Sequence, residues 1–258
     1  MKTHLRFVVV AVLLAGGGVA APVAVLAQVE QGGPAGGPGA DKIAVELPPD
    51  LAFARIISLI RGHLLIADEL FKAGQKQAAY THFKHPREEL YGVIRGELQN
   101  YRAPQFDGAL KELERRAKTG KPAAYAKAWQ GVERALTAAD AGLKEKQGDW
   151  PRFTLRVALE VLKTSPDEYL EAIVRDRIAK PVEYQDARGF ILQAEKMIEG
   201  VAVELQQKDP AALQEIRAGL AELKQALPTA VPPAKPVQDH AAVLAIVTHI
   251  ERAAARLL

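Results

Sequence analysis

Three histidines, His63, His82 and His85, fall within one stretch of 23 residues, and the glutamates Glu89 and Glu97 follow closely. Imidazole nitrogens and carboxylate oxygens together suit iron, zinc or copper. The spacing therefore predicts a His/Glu site that holds a transition metal, with iron as the leading candidate, rather than one that uses the metal for catalysis.

Helical periodicity indicates which of these side chains face inward. A helix turns about 100° per residue, which places His63 roughly 60° from the centre of the apolar stripe of the first predicted helix. The same rotation places Glu97 within about 20° of the centre of the stripe of the predicted helix that follows Pro86. Glu183 lies on the inward line of a later helix, with Asp186 at its edge. A carboxylate that faces a core must be paired, protonated or bound to a cation. The candidate metal ligands are His63, His82, His85, Glu89, Glu97 and Glu183.

The same residues have a structural interpretation that needs no metal. His63 is then a satisfied core histidine, His85 caps the helix that begins after it, and Glu97 pairs with an inward arginine. On that interpretation the protein is a helical interaction or scaffold protein of the cell envelope.

Composition excludes several other functions. The chain has no cysteine, which excludes disulfides, thiolate metal sites, a cysteine nucleophile and the Cys-x-x-Cys-His haem attachment motif. A net charge of +3, partly contributed by Lys2 and Arg6, gives no basis for nucleic-acid binding. A His-Glu-x-x-His motif is also missing, and no general base beside an open metal position can be named, so we expect a protein that is not an enzyme.

The elements that position these residues are predicted to be helices throughout. From about residue 47 to 258, helical periodicity is punctuated by start and stop signals. Asp50 and Asp239 are predicted to cap the first and the last helix, Pro86 to open another, and Ser165 to begin a capping box. Pro181 is predicted to open a long helix that reaches about Gln207. The fold class is therefore all-α, an up-and-down helical bundle of roughly two helical halves in one domain.

The N-terminus carries a targeting signal. A basic head, an apolar stretch and small residues predict a signal peptide over residues 1–27, with an uncleaved membrane anchor as the alternative. Residues 28–46 are rich in glycine and proline and are expected to be flexible. The domain at 47–258 is therefore expected in the periplasm or elsewhere outside the cytoplasm.

Two segments resemble known helical families. The stretch 62–91, with His85 and Glu88 in a His-x-x-Glu pattern, resembles imelysin-like extracytoplasmic proteins, which are associated with iron uptake. The stretch 167–195, with Glu168-Tyr169, Asp176-Arg177-Ile178 and Glu183-Tyr184-Gln185, is similar to the helical extracytoplasmic region that precedes some high-affinity iron permeases. The resemblance implies an accessory to metal uptake, free or tethered, whose partner is a membrane metal permease or another envelope protein.

Overall fold

The computed structural model describes residues 47–119 and 121–258, and this part of the chain is helical. It forms no sheet there, only one isolated bridge between Ile173 and Ile178. The all-α prediction is confirmed. In chain order the elements are α1 (Pro49–Lys72), α2 (Lys76–His85), a π-helical turn (Pro86–Leu90), α3 (Tyr91–Ile94), a 3-10 turn (Leu98–Tyr101), α4 (Asp107–Thr119), α5 (Pro122–Lys146), α6 (Trp150–Leu162), α7 (Ser165–Ala172), α8 (Pro181–Glu199), α9 (Ala202–Lys208), α10 (Pro210–Ala226) and α11 (His240–Ala254).

Aspartate caps fix the start of three helices. The carboxylates of Asp149, Asp209 and Asp239 each accept a hydrogen bond from the backbone N–H three residues later in the chain, at the starts of α6, α10 and α11. Such a bond satisfies one of the amide groups that have no partner within the helix. The predicted cap at Asp239 is therefore confirmed.

Two other predicted caps are wrong. Asp50 lies inside the first turn of α1, where it accepts hydrogen bonds from Tyr101 Oη and Gln147 Nε2, both at 2.8 Å. Ser165 lies inside α7 and is fully buried, and its hydroxyl caps nothing. At Asp50, two tertiary hydrogen bonds replace the local capping bond.

The segment after Pro86 differs most from the prediction. Pro86 does not open a regular helix, because the chain passes through a π-helical turn, the four-residue α3 and a 3-10 turn. The 100° rotation per residue holds only in a continuous α-helix. Glu97 is therefore exposed and accepts a hydrogen bond from Asn100 Nδ2 at 2.7 Å. Its predicted place on the core face is wrong. The long helix from Pro181 is also interrupted, since α8 ends at Glu199.

The buried apolar side chains form two clusters that correspond to the predicted halves. The first is built mainly from α1–α5, and the second from α6–α11. Trp150 and Met197 pack against both clusters.

A close crossing of α1 and α8 joins the halves and positions the candidate site. An added Cβ at Gly62 would lie 2.6 Å from Phe190 Cδ1, and one at Gly189 would lie 2.5 Å from the Gly62 carbonyl oxygen. Only glycine permits this approach of the two backbones. It places His63, next to Gly62, near Asp186, one turn before Phe190.

None of the described helices has the length and apolar character that crossing a bilayer requires. The predicted signal peptide at 1–27 and the flexible segment at 28–46 lie outside the described residues.

Candidate metal centre

Three histidines and one aspartate converge between α1, α2 and α8. His63, His82, His85 and Asp186 each offer one ligand atom, and these atoms all lie within 4.8 Å of one another. His82 is 0% exposed, His63 4% and Asp186 6%. The structure thus brings together the three predicted histidines, although α1 and α2 supply them from separate helices.

The Asp186 carboxylate is the centre of the cluster. Its Oδ1 lies 2.7 Å from His63 Nδ1 and 2.9 Å from His82 Nδ1, and its Oδ2 lies 3.6 Å from His85 Nδ1. His82 and His85 are three positions apart on α2 and therefore share one face of that helix. All three rings present Nδ1 to the same carboxylate.

Gln185 fixes the orientation of the His82 ring. Gln185 Nε2 donates to the Ala230 carbonyl oxygen at 3.0 Å, so Gln185 Oε1 is the atom that lies 2.8 Å from His82 Nε2. Because an amide oxygen can only accept, His82 Nε2 must carry the proton. In a neutral ring this leaves the lone pair on Nδ1, toward Asp186, which is the arrangement that outer-shell partners give to metal-binding histidines.

In the part of the chain that the structure describes, not all the nitrogens around Asp186 have a hydrogen-bond partner. His63 Nδ1 and His85 Nδ1 are buried and have no well-aligned hydrogen-bond partner among the described residues, despite the short distance from His63 to the carboxylate. Buried polar atoms normally have such a partner. A cation between the rings and the carboxylate would satisfy these atoms, and three imidazoles with one carboxylate are a donor set suited to iron, zinc or copper.

The charges of the cluster shift the pKa values of its members. Burial alone would raise the pKa of Asp186, but the neighbouring His63 and His82 hold it well below its usual value of 3.8. Burial would lower the pKa of His85, yet the negative charges of Asp186 and Glu89 raise it above its usual value of 6.5. The site therefore stabilises positive charge next to an ionised carboxylate.

Asp186 is the member that the sequence prediction missed. Its position at the edge of the inward stripe of α8 was the available signal, but periodicity does not show which helix that edge contacts. Glu97, which periodicity favoured, lies on the surface and outside the four-residue cluster.

Glu89 and Glu183 lie beside the cluster rather than within it. Both line a cavity of about 110 Å³ that His63, His85 and Asp186 also line. Glu89 Oε1 is 3.8 Å from His85 Nε2. Both glutamates are half-buried, so they occupy the solvent side of the cluster.

Comparison with known proteins concerns the second half of the chain. Residues 144–258 match the family model of the iron permease-associated 4-helix bundle domain. This confirms the resemblance of residues 167–195 to that module. No curated protein and no solved structure shows a significant match.

The candidate metal centre spans the boundary of the matched region. Asp186 and Gln185 lie within residues 144–258, whereas His63, His82 and His85 lie before them. The matched domain thus supplies the carboxylate, and the preceding helices α1 and α2 supply the imidazoles.

Proposed function

We propose that this protein binds a transition metal ion, with iron as the first candidate, and acts as an accessory to metal uptake or handling in the cell envelope. The ligands are His63, His82, His85 and Asp186, and the metal is cargo rather than a catalytic cofactor. The convergence of three buried imidazoles on one carboxylate, with two ring nitrogens lacking aligned partners, carries the proposal.

The matched domain supports iron as the cargo. A region that matches an iron permease-associated domain connects the chain with iron uptake, and the donor set of the cluster fits iron. The partner implied is a membrane metal permease, and the place of action is outside the cytoplasm. Fractionation of cells and sequencing of the mature N-terminus test the location, with a start at Gln28 expected.

One observation favours the alternative of a helical scaffold protein without metal. His82 already has an acceptor at each ring nitrogen, Gln185 Oε1 and Asp186 Oδ1, as a buried structural imidazolium would. On that basis the cluster is a polar network that fixes the contact between α2 and α8.

Thermal melting of the purified protein separates the two functions. A ligand at 100 times its dissociation constant stabilises the native state by about 2.7 kcal/mol, which raises the Tm of a domain of this size by roughly 5–10 °C. We expect that rise with Fe²⁺ under anaerobic conditions, Zn²⁺ or Cu²⁺. If none of these ions changes the melting of the wild type at pH 7.5, the metal proposal is wrong and the scaffold function replaces it.

A further inference from the structure

We infer that the site is loaded with a free divalent aqua cation through a carboxylate-lined mouth, where Glu89 and Glu183 capture the ion before His63, His82, His85 and Asp186 bind it. Metal in the form of an anionic chelate, or as a trivalent ion, is excluded. The inference rests on the proposed function and specifies the form of its cargo.

The mouth is the cavity that opens over the cluster. Glu89 and Glu183 line it. Glu168 and Glu171 also border it but have contacts of their own, and Lys180 Nζ lies 4.0 Å from Glu171 Oε2. Arg55 also lines it, but its guanidinium is bound to the Glu160 carbonyl oxygen and to Thr164 Oγ1. The lining thus carries more carboxylates than cations, and such an excess of negative charge within low-dielectric walls concentrates cations.

A buried nitrogen independently indicates a ligand at the floor of this cavity. His63 lines the cavity and is only 4% exposed, and its Nδ1 lacks an aligned hydrogen-bond partner. Beneath the carboxylates of the mouth there is therefore a nitrogen, His63 Nδ1, that is suited to bind a cation.

His85 connects the mouth to the inner site. It is the most exposed of the three histidines, with 16% of its side chain accessible, and Glu89 Oε1 lies 3.8 Å from its Nε2. Its Nδ1 lies 3.6 Å from Asp186 Oδ2. One imidazole thus borders both the outer carboxylate and the inner one, so a captured ion has a short transfer path.

The size of the mouth determines the form in which metal arrives. Its volume of about 110 Å³ is well below the roughly 300–1,000 Å³ of pockets that enclose organic ligands. An iron–citrate complex does not fit, and its negative charge is repelled by the glutamates.

The charge of the inner site determines the preferred oxidation state. Three neutral imidazoles and one carboxylate leave a divalent ion with a net charge of +1 and a trivalent ion with +2. The cost of burying net charge rises steeply with its size. The site therefore favours Fe²⁺ over Fe³⁺.

Stopped-flow mixing with Co²⁺, whose visible absorption reports imidazole coordination, tests the mouth. In the double variant Glu89→Gln/Glu183→Gln the association rate should fall about tenfold at low ionic strength, and the deficit should shrink in high salt. The dissociation rate should stay within about twofold of the wild type. The control is Glu204→Gln/Glu222→Gln, which makes the same change in net charge at exposed positions that do not line the cavity.

Equilibrium binding tests the form of the cargo. The wild type should bind Fe²⁺ in the absence of oxygen and leave ferric citrate unbound at the same concentration. Ferric citrate binding, or a double variant that associates with Co²⁺ as fast as the control, would overturn the inference while the metal function stands. A wild type that binds neither Co²⁺ nor Fe²⁺ overturns both.

Discussion

Two polar contacts begin two residues apart on α1 and differ in how fully their atoms are paired. Arg61 meets Asp140 of α5 through two parallel hydrogen bonds of 3.1 and 2.7 Å, so both carboxylate oxygens and both terminal guanidinium nitrogens have partners. At His63, three imidazoles share the single carboxylate of Asp186, and two ring nitrogens have no aligned partner. The first contact is complete as a structural ion pair, whereas the second is a set of donors that a cation would complete.

Neutralising each aspartate in turn tests the difference between the two contacts most directly. Asp186→Asn should weaken metal binding by at least about 100-fold, because it removes the charged ligand of the set. Asp140→Asn should leave metal affinity unchanged. Isothermal titration with Zn²⁺ measures both variants, and equal losses in the two would contradict the distinction between the contacts.

The pH dependence should differ between the metal-free and metal-loaded protein. The raised pKa of His85 contributes stability that is fully present below about pH 6.5 and is lost as the pH rises through the raised value. Metal stabilisation should change in the opposite direction, because histidine ligands must lose their protons. Affinity should fall about tenfold per pH unit, for each histidine proton displaced, once the pH drops below the raised pKa of His85. Melting curves from pH 5 to 8 with and without Zn²⁺ measure both trends.

The ionised carboxylate of Asp186 should contribute to the loss of stability of the metal-free protein at acid pH. Its lowered pKa contributes stability that is present above its usual pKa of 3.8 and is lost as the pH falls toward the depressed value. Asp186→Asn should therefore flatten the loss of Tm below pH 4 relative to the wild type. Asp140→Asn serves again as the control, and parallel acid limbs in all three proteins would contradict the assignment.

Removal of Gln185 tests how the ring of His82 is oriented. Gln185→Leu should lower metal affinity about tenfold, the lower end of the effect of outer-shell partners. Proton–nitrogen correlation spectra of the metal-free wild type at pH 8 should show His82 with its proton on Nε2. A His82 proton on Nδ1 would show that Gln185 does not set this tautomer.

Glu97→Leu should have the smallest effect. Its carboxylate is exposed and bonded only locally to Asn100 among the described contacts, so stability should change by less than about 0.5 kcal/mol. Zinc affinity should equal that of the wild type. If the Glu97→Leu variant lost zinc binding, Glu97 would have to be a metal ligand, contrary to its exposed position.

The contrast between Glu97 and Asp186 shows why part of the site could not be predicted. Rotation along a helix predicts an inward-facing position for both residues, but the chain from Pro86 to Tyr101 changes helix type twice and turns Glu97 to solvent. Asp186 lies on regular α8, where periodicity placed it correctly at the edge of the inward face. Its partner His82 is 104 positions away, a separation that no local pattern reports.

The sequence by itself determined the all-helical class, the aspartate cap at Asp239 and the two halves. These depend on backbone hydrogen bonds and apolar periodicity over a few residues, which are local in the chain. Only the tertiary structure decided that Asp186 completes the cluster and that Glu89 and Glu183 line its mouth. The physical reason is the crossing of α1 and α8 at Gly62 and Gly189, where two backbones meet closely enough to bring side chains from distant parts of the chain onto one carboxylate.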